Sequence, residues 1–221
     1  MHISGYLFSI KDNFQTLFGL KDEQKKGRTV MMGSSVLSSI ITSLTSGIFY
    51  TGFLLGNDIH LTSVGIITFI PYLASLISLF APSLLERFPK RRWLLALLRL
   101  LQWTINLLGM TLLPLIVKDS QARIIWFCIL SFLGSALGNL CTPGYTTWHL
   151  NFIPDSVRAS YLITSALITN VLCGLFLILS GIAADAMAGS PYQMTIITLL
   201  RYIGFALAVL EVWLMTRPKE Y

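Results

Sequence analysis

The sequence predicts an all-α membrane protein whose six transmembrane helices form two inverted three-helix repeats. Three observations carry that prediction: an apolar, charge-poor composition, six long apolar runs, and a recurrent offset between matching positions in the two halves. Of the 221 residues, 54% are hydrophobic and 12% charged, against roughly 25% charged in an ordinary soluble domain. Mean hydropathy is +0.71, which suits a chain solvated largely by lipid.

Runs of ~20 apolar residues match the ~30 Å hydrocarbon core of a bilayer. Six occur: Val30–Leu55, Leu61–Phe80, Trp93–Val117, Ile124–Leu140, Ser160–Ala184 and Tyr192–Met215. The fourth is short, and its helix is expected to continue through Cys141 toward Trp148. A soluble bundle needs polar stripes at helical spacing on its outer faces. The run Trp93–Val117 offers only Arg99, Gln102, Thr104, Asn106 and Thr111, too few for a solvated face.

Cations fix the expected orientation. Lys11, Lys21, Lys25, Lys26 and Arg28 precede the first span. Arg87, Lys90, Arg91 and Arg92 follow the second, Arg158 the fourth, and Arg217 and Lys219 the sixth. The other side has only Lys118 and Arg123. Segments rich in Lys and Arg stay in the cytoplasm, so both termini are expected there. This is the layout of a multi-pass protein of the bacterial inner (cell) membrane. The asymmetry also accounts for the net charge of +6 without a nucleic-acid partner.

Residues 1–28 lack the apolar run and cleavage site of a signal peptide. Leu7, Ile10, Phe14, Leu17 and Phe18 fall at helical spacing, with Lys11, Asp12 and Gln15 between them. They are expected to form a cytoplasmic amphipathic segment on the inner leaflet; the alternative is a disordered lead-in. A six-helix domain over 29–217 and a cytoplasmic tail over 218–221 follow.

Catalytic and metal chemistry find little support. Cys128, Cys141 and Cys173 have no metal-ligand spacing, and His2, His60 and His149 are scattered. No nucleophile–base pair or intramembrane Asp/His cluster stands out. The sequence points away from an enzyme and implies neither cofactor nor metal.

Internal repetition is more telling. Leu97-Leu98-Arg99 matches Leu199-Leu200-Arg201 at an offset of 102, and Gly33-Ser34 matches Gly134-Ser135 at 101. Pro82-Ser83-Leu84-Leu85-Glu86 pairs with Gly181-Ile182-Ala183-Ala184-Asp185 at 99. An odd number of spans per copy makes the copies inverted across the membrane, an architecture of secondary transporters.

The stretch from Pro82 to Arg92 resembles the loop signature of the major facilitator superfamily, Gly-x-Leu-Ala-Asp-Arg-x-Gly-Arg-Arg, between helices 2 and 3. Pro82 and Pro89 replace its glycines, Leu84 and Arg87 are kept, Glu86 stands for the Asp, and Lys90 and Arg91 supply the basic pair. Pro143-Gly144-Tyr145-Thr146-Thr147-Trp148, followed by Ile153-Pro154 and Arg158, resembles the helix 4–5 connection of the same superfamily. The resemblance covers the chain after residue 28 and matches the N-terminal six-helix half of a usually twelve-helix family. Two features depart from it. Helix 5 has Gly174 and Gly181 but no Pro, so the antiporter signature is missing, and Arg123 lies at the outer end of helix 4 rather than within it.

The resemblance implies a half-size secondary transporter working by alternating access between two six-helix units, the second being a copy of this chain or a separate C-terminal half. The cargo would be a small neutral or amphipathic solute. The alternatives are a non-transporting membrane scaffold or assembly subunit, and an incomplete fragment of a twelve-helix transporter.

In the family, helices 1 and 4 line the cavity. Ser35, Ser38, Thr42, Thr45 and Ser46 fall at i, i+3, i+4 spacing, giving helix 1 one hydroxylated face. That face reads either as a cavity wall or as a small-residue surface for close packing. Tyr50 and Asn139 are further cavity candidates. Arg99, Arg201 and Glu211 are intramembrane charges, which are costly and functional by default. Arg99 lies about 9 Å along the helix from Trp93, close enough to snorkel to the cytoplasm, with Glu211 as its candidate partner. Arg201 is nearer the midplane, with structural pairing and substrate contact both open. The resemblance assigns Glu86, Arg87, Lys90 and Arg91 to an inward-side gating loop, the carboxylate resting on a helix N-terminus of the opposite unit. Arg92 would meet lipid phosphate. A purely topological basic loop is the alternative.

Overall fold

In the computed structural model the described residues are 17–19, 22–88, 91–187, 189–190 and 192–218. Six helices are long and apolar enough to cross a membrane: α1 (Glu23–Leu55), α2 (Leu61–Glu86), α3 (Arg92–Ile116), α4 (Ser120–Leu150), α5 (Asp155–Asp185) and α6 (Gln193–Met215). The described residues contain no strand. An all-helical multi-pass membrane protein is therefore the architecture.

The helices overrun the apolar runs chiefly at one end. α1 starts at Glu23 rather than Val30, α2 continues to Glu86 rather than Phe80, and α4 runs through Leu150. Hydropathy marks only the part of a helix that lipid tails cover, whereas the backbone ladder continues into polar flanks. Pro82–Glu86 is thus the end of a helix rather than part of a turn. The helix ends at this side carry Arg28, Arg87, Arg92, Arg158 and Arg217, and it is called the basic end below.

Three helices are irregular. α1 breaks between Thr45 and Gly47: Ser46 is extended (φ −139°, ψ 176°) and Gly47 has φ +62°, a left-handed value that glycine adopts without steric penalty. α2 tightens into a 3₁₀ turn over Ser75–Phe80 shortly after Pro71, which removes an amide donor and crowds the preceding turn. α3 widens into a π-helical segment over Thr104–Gly109, between α-helical Arg91–Trp103 and Met110–Ile116.

α1 packs along α6 and beside α5, α4 packs along α3 and α2, and α3 meets α6. A cluster of Met31, Leu85, Leu95, Cys141, Trp148, Phe152 and Met215 fills the basic end. Tyr50, Phe53, Ile67, Met110, Leu113, Phe127 and Ile197 belong to a cluster toward the other end. Between them, Ile41, Trp103, Leu107 and Ala208 join α1, α3 and α6. Close approach of α4 to α3 depends on missing side chains. A Cβ at Gly138 would stand 2.6 Å from Gln102 Nε2, and one at Gly144 would stand 2.8 Å from Leu85 and 2.9 Å from Leu95.

α5 contributes least to this core. Only 6% of its apolar window is buried, against 22% or more in the other five helices. Of the predicted N-terminal amphipathic segment, Leu7, Ile10 and Phe14 lie outside the described residues. Leu17 and Phe18 are buried and cluster with Ile153 and Tyr161.

A polar hollow along the first and fourth helices

The hydroxyls of α1 bond mainly to their own helix. Ser35 donates to the Met31 carbonyl (3.0 Å), Thr42 to Ser38 (2.7 Å), Thr45 to Ile41 (3.1 Å) and Ser46 to Thr42 (2.7 Å). Each donor is thereby satisfied by a carbonyl one turn back, and the oxygen lone pairs remain free to accept.

Those oxygens face two connected hollows. One, of about 500 Å³, is lined by Ser35, Ser38, Ser39, Thr42, Asn139 and Tyr145 among others. The second, of about 450 Å³, is lined by Thr45, Ser46, Tyr50, Tyr72, Trp103 and Met110 among others. Thr42, Pro71, Gln102 and Ser135 line both, so they form one trough. All seven cavity candidates, Ser35, Ser38, Thr42, Thr45, Ser46, Tyr50 and Asn139, line it. Gln102 and Asn106 on α3 and Ser135 on α4 line it too. Their polarity inside apolar runs was the available signal. For the pair on α3 it was masked because the resemblance places the cavity on helices 1 and 4. The π-helical segment holds Asn106 itself, and Gln102 stands only two residues before it.

The intramembrane charges are arranged unequally. Arg99 does not reach toward the basic end; its guanidinium turns sideways to Glu211 on α6. Nε and Nη2 each lie 3.0 Å from Glu211 Oε1, Nη1 donates to Gln102 Oε1 at 3.1 Å, and Nη2 also donates to Ser38 Oγ. Trp103 Nε1 donates to Glu211 Oε2 at 2.5 Å, and the Arg99 guanidinium stands 4.7 Å from the Trp103 ring centroid. Glu211 is fully buried, whereas the Arg99 side chain keeps 13% exposure and lines the trough. An available carboxylate in a low-dielectric interior attracts more strongly than distant water, which explains why Arg99 turns inward.

Arg201 has no such partner among the described residues. Nε donates to Thr111 Oγ1 at 2.7 Å and Nη2 to the Asn106 carbonyl at 2.6 Å. The guanidinium lies 4.3 Å from the Phe53 ring centroid and 5.9 Å from that of Tyr50. Nη1 is buried without a hydrogen-bond partner. Phe53 and Tyr50 supply cation–π attraction, yet no carboxylate neutralises this charge.

At the basic end, Glu86 and Arg87 are exposed, and Glu86 lines a recess of about 260 Å³ with Arg92, Trp148 and Asn151 among others. Lys90 and the side chain of Arg91 lie outside the described residues. Arg92 Nη1 donates to the Pro218 carbonyl at 3.2 Å, tying the start of α3 to the segment after α6. Nearby, Tyr161 on α5 donates to the Arg28 carbonyl of α1 at 2.9 Å and stands 2.8 Å from His149 Nε2 on α4. No spacing pattern announces this three-helix clasp, whose members are 12 and 133 positions apart. Among the described residues no group of three or more His, Cys, Asp or Glu stands together as a metal site.

The trough is thus an open concavity walled by hydroxyls and amides, floored by aromatic and apolar side chains, and charged at one point. Comparison with known protein families, with curated proteins and with solved structures finds no match to this chain.

Proposed function

We propose that this chain is one six-helix unit of a secondary transporter of the major facilitator type, carrying a small amphipathic solute through the trough by alternating access. The carrying observation is the trough itself. A polar concavity lies alongside membrane-length helices, where lipid tails offer its walls no hydrogen bonds. Such a wall belongs against water or a second protein unit.

The packing supports two inverted repeats. Exchanging α1 with α4, α2 with α5 and α3 with α6 turns the α1–α6 contact into α4–α3 and the α1–α5 contact into α4–α2; α3–α6 maps onto itself. Gly33 on α1 faces Leu214 of α6, and its counterpart Gly134 on α4 faces Asn106 of α3. Arg99 and Arg201, matched in sequence, each bond across the α3–α6 interface. In this reading the second unit closes over the trough between α2 and α5, whose exposed faces include Phe69, Tyr72 and Leu76 and Ile163, Leu167 and Val171. Rocking the two units about the midplane opens the trough to each side in turn. Glu86 and Arg87 form part of the inward-side gate, and both termini are cytoplasmic.

The test has two arms. Reporter fusions should give an active periplasmic phosphatase after residue 188 and an inactive one after residue 88 or at the C-terminus. Purified protein in vesicles should take up amphipathic solutes saturably as an assembly of two six-helix units. A single unit showing no uptake across a panel of neutral, cationic and anionic solutes would overturn the transport reading.

A further inference from the structure

We infer that the trough binds an organic carboxylate at Arg99, that the carboxylate displaces Glu211 from the guanidinium, and that Glu211 takes up one proton in the exchange. The inference rests on the transport reading above and specifies its solute class and its coupling.

Charge balance is the first ground. Away from the helix ends, the spans hold two guanidiniums, Arg99 and Arg201, and one carboxylate, Glu211. The interior therefore carries one positive charge in excess, whose field draws an anion into the trough. Among the described residues lining the trough, Arg99 is the only charged one.

Shape is the second ground. One guanidinium flanked by Ser38, Gln102 and Asn139 suits a single carboxylate, which pairs with arginine through two parallel bonds. The adjoining hollow, with Tyr50, Tyr72, Trp103 and Met110, suits an apolar body attached to that head.

The exchange follows from burial. Glu211 Oε1 accepts from Arg99 Nε and lies 3.0 Å from its Nη2, and Oε2 accepts from Trp103. The titratable or charged groups around Glu211 are Arg99 on α3, the nearest, and Tyr145 and Cys141 of α4, neither of which bonds to it. α1 contributes the Ser38 hydroxyl, and α5 carries its charges, Asp155, Arg158 and Asp185, only at its ends. When a solute carboxylate takes Arg99, no other cation among the described residues replaces it at Glu211. A fully buried, unpaired carboxylate persists only as the neutral acid. One proton from the aqueous phase then binds a Glu211 carboxylate oxygen. One negative charge enters with the solute and one positive charge with the proton, so the interior charge is unchanged and no covalent bond other than O–H forms.

The experiment titrates benzoate into the protein held in lipid nanodiscs. Calorimetry in two buffers of different ionisation enthalpy counts the protons, and benzamide serves as the uncharged counterpart. Benzoate should bind with uptake of one proton, its apparent Kd rising toward about tenfold per pH unit once Glu211 must be protonated from solution. Benzamide should bind at least about tenfold more weakly, and Arg99→Gln should weaken benzoate by about ten- to a hundredfold. Glu211→Gln keeps a partner for Trp103 and should bind benzoate with no proton uptake and no pH slope. Thermal unfolding of each variant confirms that it is folded. Equal binding of benzoate and benzamide, binding without proton uptake in the wild type, or Arg99→Gln binding as the wild type does would each overturn the inference. Uptake of a neutral solute by protein that ignores benzoate would sink the inference and leave the transport reading standing. Benzoate binding without uptake of any solute would do the reverse.

Discussion

Arg99 on α3 and Glu211 on α6 meet at 3.0 Å inside the spans, and the carboxylate is fully buried while the guanidinium edges into the trough. The pair is therefore asymmetric: one member can reach a solute and the other cannot. Removing the reachable member alone leaves the buried carboxyl group without its counter-charge. Arg99→Met should lower stability by about 3–5 kcal/mol, and the double variant Arg99→Met/Glu211→Leu should recover most of that loss. Thermal unfolding in mild detergent reads both. A double variant no better than the single one would contradict the pairing.

Arg201 should behave in the opposite way. Its charge is held by neutral acceptors and two aromatic rings, and one of its nitrogens has no partner. Arg201→Met removes an uncompensated buried charge while keeping a long side chain against Phe53 and Tyr50. Thr111 retains its own bond to the Leu107 carbonyl at 2.5 Å. Stability should stay level or rise by about 1 kcal/mol. A loss as large as that of Arg99→Met, measured the same way, would show that Arg201 has a counter-charge after all.

Side-chain volume at the α4 surface gives a third prediction. Gly144→Ala drives a methyl into Leu85 and Leu95, both buried, and should cost about 1–3 kcal/mol. Gly174→Ala on α5 meets nothing within 4 Å and should be neutral or gain a few tenths of a kcal/mol from helix propensity. Paired unfolding curves decide it, and equal shifts would argue against close packing at Gly144.

Water access separates the trough from the outer faces of the unit. On a background with Cys128, Cys141 and Cys173 replaced by alanine, Asn139→Cys and Thr142→Cys should react with a membrane-impermeant thiol reagent. Ile178→Cys on the exposed apolar face of α5 should react more slowly, on the order of tenfold, because lipid both excludes the reagent and suppresses the thiolate. Similar rates at all three positions would mean that the trough is as dry as the lipid-facing surface.

Much of the fold was legible because apolar length alone marks a span. Positions of the six helices follow from it, as does the continuation of the fourth toward Trp148, and the overruns at Glu23 and Glu86 are the places where polar flanks hide a continuing helix. The hydroxylated face of α1 was also legible, since i, i+3, i+4 spacing puts Ser35, Ser38, Thr42 and Ser46 on one side regardless of neighbours. What α3 does was not. Nothing in Thr104-Ile105-Asn106-Leu107-Leu108-Gly109 announces a π-helical turn, and without it Gln102 and Asn106 read as unremarkable polar residues outside the cavity helices. The Arg99–Glu211 pair could be suggested from helix depth, but the choice between snorkelling and pairing depends on a crossing that only tertiary packing sets. The break at Ser46 was hidden too, because Ser and Gly are common within membrane helices.

The π-helical segment of α3 can be understood as a phase adaptor. A residue more per turn shifts the angular position of everything beyond it by about 100° relative to a uniform α-helix. α3 can thus present Arg99 to α6 at one depth and Thr111 to Arg201 of the same neighbour at another, with the widened turn offering the Asn106 carbonyl between them. One helix carries two electrostatic appointments whose angular settings are independent. Any motion that tightened this segment to regular α-helix would turn one end of α3 against the other, so that Arg99 and Arg201 could not both keep their present partners across the α3–α6 interface.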